Sequence, residues 1–98
     1  MDVTISHPHV EVPVKLQHLT NEKLNTLKDN YGFITGIEVI FDEQKHLKLA
    51  KANVHIPGKI IHAESESDID FHSAVDLLID KLDNQLRKHK EKSKNHRD

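Results

Sequence analysis

The sequence predicts a two-layer α+β domain of order β-α-β-β-β-α, a four-stranded sheet with two helices packed on one face. Two observations carry this expectation. Apolar residues recur at helical spacing in two segments, and at a spacing of two in the segments before and between them. A sheet that is apolar on one face closes most simply against two amphipathic helices lying together on that face, with a right-handed first crossover. With 98 residues the chain can close one such core but not a second. One domain over residues 1–92 is therefore expected, followed by a polar tail over residues 93–98.

Each element has its own signal. Val3 and Ile5 alternate with Asp2, Thr4 and Ser6 until His7 and Pro8 interrupt, which predicts a short first strand. Pro13 is tolerated in a first helical turn, where its missing amide would be unpaired anyway. Leu16, Leu19, Thr20, Leu24, Leu27 and Tyr31 then recur at helical spacing, and Gly32 stands where a left-handed cap is expected. The helix is placed at about residues 13–30. From Ile34 the period falls to two, with Ile37, Val39 and Phe41 on one face. Ala50, Ala52, Val54 and Ile56 form the next strand, and Pro57-Gly58 supplies a turn. Pairing Ile56 with Lys59 sets Val54 opposite Ile61 and Ala52 opposite Ala63, which brings both apolar sets to one face. Asp68 or Asp70 can cap a final helix that buries Phe71, Ala74, Val75, Leu78, Ile79, Leu82 and Leu86.

Composition narrows the function. Hydrophobic residues at 36% and charged residues at 31% suit a small folded domain, given that the apolar ones are periodic. With no cysteine, a disulfide framework, a thiolate metal site and a cysteine nucleophile are all excluded. Residues Met1 to Val10 lack the apolar stretch of a signal peptide, and no run approaches a membrane span, so a cytoplasmic location is expected. No phosphate-cradling G-x-x-x-x-G-K and no G-x-S-x-G elbow occurs, so neither catalysis nor a cofactor is expected. His55 and His62 share one face of the predicted hairpin, but two imidazoles fall short of a metal site's three or four ligands. Glu64 and Glu66 alternate onto the solvent face, where charge discourages edge-to-edge sheet pairing.

Charge distribution says more than the net value of -2. Residues 81–98 hold seven Lys or Arg against three acids, a local +4, while residues 1–80 carry seven against thirteen, or -6. Such asymmetry marks a polyanion-binding surface, because phosphate attraction decays over roughly 8 Å at physiological salt. A fraying, solvated helix end rich in Lys is the plainer alternative. At 100° per residue, Lys81, Gln85, Lys88 and Lys92 lie along one flank of the last helix, and Asp76, Asp80, Asp83 and Arg87 along the other. Segregated signs favour a binding ridge, whereas a merely soluble helix would mix them. Lys23 falls inside the apolar stripe of the first helix. It either snorkels, covering core with its methylenes, or joins Lys28 and the Lys81 flank in a single basic face.

These residues resemble those of a known family. Asp2 to Leu16, with His7-Pro8-His9-Val10-Glu11-Val12 inside it, is similar to the opening of the ribosome hibernation-promoting factors. So are Asn53-Val54-His55-Ile56 with Ile61-His62-Ala63, and Ser73 to Leu82 continuing through Gln85-Leu86-Arg87-Lys88-His89-Lys90-Glu91-Lys92. The resemblance covers nearly the whole chain and implies a fold like a double-stranded RNA-binding domain. It further implies binding to the small ribosomal subunit and its 16S rRNA, in the channel for messenger RNA and the A- and P-site transfer RNAs. Translation is thereby inhibited, and the ribosome stored as inactive dimers. The family's basic helix residues map onto Lys23, Lys28, Lys81, Lys88, Lys90 and Lys92 as RNA contacts. The chain resembles the short type, which acts with a separate ribosome modulation factor. Gln17 and Thr26 stand where many relatives have basic residues, and His7-Pro8 replaces a Gly-Asn type of turn. Two alternatives stay open: a general RNA-binding module, and the sister branch that prevents dimerisation.

Overall fold

The computed structural model describes residues 3–95, with side chains through Lys92. Its elements are β1 (Val3–Ser6), α1 (Val14–Asn30), β2 (Gly36–Gln44), β3 (Leu47–Ile56), β4 (Lys59–Ser67) and α2 (Phe71–Asn95). The expected order and class are both found. The first three residues of the expected tail continue α2, and residues 96–98 lie outside the described residues.

The strands lie in chain order, β1-β2-β3-β4, with β1 parallel to β2 and the other pairs antiparallel. The predicted register is observed: Ile56 pairs with Lys59, Val54 with Ile61 and Ala52 with Ala63. Gly58 has φ 86°, the value demanded of the second central residue in a type II turn and open to glycine without strain. At the other hairpin, Lys45 takes φ 60°.

The core lies between one sheet face and the two helices. Ile37, Val39, Phe41, Ala50, Ala52 and Val54 meet Leu24 and Leu27 of α1 and Ala74, Val75, Leu78, Leu82 and Leu86 of α2. Phe41 and Phe71 pack edge to face, 5.3 Å between centroids. Polar groups drawn into this layer are satisfied. Thr20 donates to the Leu16 carbonyl at 2.7 Å and Ser65 donates to the Ala74 carbonyl, tying β4 to the first turns of α2.

Helix ends correct the sequence reading in one place. Gly32 is not left-handed. Instead α1 closes at Tyr31 (φ -130°, ψ 84°), whose amide donates to the Leu27 carbonyl, and the Ile34 amide then returns to Tyr31. The helix ends at Asn30, as expected, but the Tyr31 ring is drawn into the core and its hydroxyl reaches α2, so the chain turns at Tyr31 and needs no left-handed residue after it. At the start of α2, Asp70 rather than Asp68 is the cap, its carboxylate accepting the Ser73 amide at 2.9 Å.

Candidate nucleic-acid interface

Where α2 lies decides which lysines meet. It runs antiparallel to β4, as three contacts in sequence record. Ser65 reaches Ala74, the Lys81 ammonium donates to the Glu64 carbonyl at 2.6 Å, and the Gln85 amide donates to the His62 carbonyl at 3.0 Å. Continuing that course brings Lys88 and Lys92 over the start of β4. There Lys59, Lys88 and Lys92 surround an open groove of about 470 Å³ together with Ile61, Gln85 and a single acid, Glu91.

On its other side α2 meets α1, and the two helices run in the same direction: Lys23 lies opposite Asp76, and Tyr31 opposite Asp83. The flank that α2 turns toward α1 is therefore the acidic one. Lys23 Nζ stands 3.7 Å from Asp76 Oδ1, and His72 Nδ1 meets the other oxygen of that carboxylate at 3.4 Å. The single basic face that would join Lys23 and Lys28 to the Lys81 flank is not formed, because the two sets lie on opposite sides of α2. The snorkelling arrangement of Lys23 is the one observed: it is half-buried, with its ammonium at a carboxylate.

Lys90 belongs to neither set. Its ammonium lies over the Tyr31 ring, 5.9 Å from the centroid. Below it the Tyr31 hydroxyl donates to Asp83 Oδ1 at 2.8 Å, while Arg87 holds the other oxygen of Asp83 at 3.2 Å. Burial, and after it the hydrogen bond to Asp83, pushes the Tyr31 hydroxyl above its ordinary pKa, so it stays a donor. Beside this cluster Phe33 stacks at a tilt on His89, 5.2 Å between centroids. These contacts brace the far end of α2, where the apolar anchors have run out, and engage Arg87 and Lys90 but not Lys88 or Lys92.

Of the six lysines singled out from sequence, Lys88 and Lys92 come together in the groove, and Lys81 continues their row along the helix. Lys81 is fixed to a backbone carbonyl but keeps its charge and two further donors. Lys90 stands on the α1 side, and Lys23 and Lys28 stand on α1 itself. Lys59 was missed. Its alternation with Ile61 already placed it on the helix-facing side of β4, but its neighbours on α2 depend on where that helix lies.

The opposite face of the sheet carries a polar row beside Ile40, Leu49 and Ile60. His62 Nδ1 meets Asn53 Oδ1 at 2.5 Å, and Asn53 donates to Glu38 at 3.3 Å, a row across β4, β3 and β2. Among the described residues no group of three or more His, Asp or Glu side chains could hold a metal ion.

Comparison with known proteins adds to this geometry. The family described as Sigma 54 modulation protein / S30EA ribosomal protein matches residues 3–94. A "Ribosome hibernation promoting factor" of Pseudomonas putida is 41% identical over 92 residues, which are 94% of this chain and 89% of that protein. A protein of the same description from Escherichia coli is 34% identical over 96 residues, covering 98% of this chain and 100% of its own length. Among solved structures, a ribosomal subunit interface protein from Coxiella burnetii superposes with a TM-score of 0.85 at 37% identity, covering 93% of this chain and 99% of that one. The N-terminal domain of Protein Y from Thermus thermophilus, at 21% identity, shares the fold with a TM-score of 0.77 over 91% of this chain and 99% of its own.

Proposed function

The chain belongs to the Sigma 54 modulation protein / S30EA ribosomal protein family, and from that premise we propose that it is a ribosome hibernation factor acting by occupancy and not by catalysis. It binds the small ribosomal subunit in the channel of messenger RNA and the A- and P-site transfer RNAs. The observation that carries this reading is the cationic end of α2: Lys88 and Lys92 face the groove and Lys90 the other side, all three exposed. Phosphates of 16S rRNA are the natural counter-charge, since neutralising them releases condensed counterions. Lys81 extends the contact along the helix, and Lys23 and Lys28 supply a second, smaller patch from α1. The domain of residues 1–92 suffices for binding, and the work is cytoplasmic, where ribosomes are. Together with a separate ribosome modulation factor it promotes inactive ribosome dimers.

Cosedimentation with purified small subunits tests the reading. Lys88→Glu with Lys92→Glu reverses two exposed cations without emptying the core, and is expected to reduce binding by at least tenfold, about 1.4 kcal/mol or more. Lys15→Glu with Lys51→Glu makes the same charge change at exposed positions outside the groove and is expected to leave most of the binding intact. Equal behaviour of the two folded variants would remove the ridge as the RNA site. Sucrose gradients with the modulation factor present then read dimerisation. Loss of dimers on adding the protein assigns the preventing branch.

A further inference from the structure

We propose that Lys59 makes the groove a two-walled phosphate clamp, in which one RNA backbone strand passes between the Pro57-Gly58 turn and the last turns of α2. The identity of the polyanion rests on the reading above; the clamp itself rests on geometry. Lys59 opens β4 on the same side as Ile61, which is 5% exposed and floors the groove. The antiparallel course of α2 over β4 sets Lys88 and Lys92 opposite it.

Lys59 of β4 and Lys88 and Lys92 of α2 thus line one open groove, whose other ionisable lining residues are His89 and Glu91. Lys23 is answered by Asp76, Lys48 by Glu43, Arg87 by Asp83 and Lys81 by a carbonyl oxygen, and what sets Lys59, Lys88 and Lys92 apart from the exposed Lys15, Lys45 and Lys51 is that they line one groove together. Among the described residues Lys59, Lys88 and Lys92 form no salt bridge. Cations gathered along one groove sum their fields there and favour a polyanion passing through it. The turn suits the task, because Pro57 has a fixed φ, Gly58 takes the φ of 86° that the turn needs, and the pairing of Ile56 with Lys59 holds the Lys59 backbone in place.

The test compares Lys59→Ala and Lys59→Glu with Lys51→Glu, an exposed lysine on the other face of the sheet, in binding to purified small subunits over a range of salt. All must first show wild-type thermal melts. Lys59→Ala is expected to weaken binding several-fold and make the slope of log K against log salt shallower by roughly one. Lys59→Glu is expected to weaken it further, while Lys51→Glu stays near wild type. If Lys59→Glu behaves like Lys51→Glu while the Lys88/Lys92 reversal abolishes binding, the clamp is overturned and the ribosome reading stands. If the Lys88/Lys92 reversal is also without effect, the clamp and the end of α2 as the RNA site are both overturned, and failure of the wild-type protein to bind small subunits overturns the ribosome reading itself.

Discussion

Asp70 sets where α2 begins, and its titration is legible in the fold. The Ser73 amide, and after it the Ser73 hydroxyl, holds the Asp70 carboxyl below its ordinary value of 3.8. A group whose folded pKa is depressed adds stability above the unfolded value and loses it as pH falls through the folded one. Asp70→Asn keeps a capping oxygen but cannot titrate, so its melting temperature is expected to fall less steeply than wild type below about pH 4. Melts followed by circular dichroism across that range check this. Parallel acid limbs would show that the cap carries no linked proton. Lys81 illustrates a different kind of residue, one that binds its own fold and still offers charge. For this reason its substitution would mix structural with binding effects, and Lys88 and Lys92 are the cleaner probes.

At the scale of an element, α2 does two jobs along one length. Its first part is anchored by Phe71, Ala74, Val75, Leu78 and Leu82, and Leu86, fully buried, is the last apolar anchor. Past that point the helix is held by the ring contact of His89 with Phe33 and by Lys90 over Tyr31. Leu86→Ala is expected to cost about 2–5 kcal/mol, the range for a leucine deleted from a packed core. Its effect should be uneven: amide exchange protection over residues 88–92 should drop more than over residues 74–80, because the cationic turns lose their nearest anchor. Hydrogen exchange read by mass spectrometry measures both stretches. A uniform drop would mean that the end of α2 does not depend on Leu86 more than the rest does.

Across the whole molecule, a chain of net charge -2 concentrates its cations at one end of a helix and in the turn beside it. Association with a polyanion is then governed by local field and not by total charge. About six phosphate contacts predict a slope of log K against log salt of roughly -4 to -5. Titration of small-subunit binding against potassium chloride checks this. A slope near zero would exclude counterion release as the driving term. The acidic flank that α2 turns toward α1 gives the protein an internal partner for Lys23, which leaves α1 the weaker contributor to that slope.

The amino-acid sequence alone determined the element order, the register of β3 with β4 and the signs of the two flanks of α2, because periods of two and 3.6 and a run of lysines are local properties of the chain. It also carried the resemblance by which the family was recognised. Tertiary structure decided the rest. Nothing in the local pattern says which flank of α2 faces α1, so Lys23 and the Lys81 flank could be imagined as neighbours until the packing placed Asp76 between them. Gly32 had the chemistry of a left-handed cap, but the turn is made at Tyr31, whose ring is buried in the core. Lys59 and Lys88 are far apart in sequence and meet only because α2 descends along β4, a relation set by how helix and sheet faces fit and not by either segment alone.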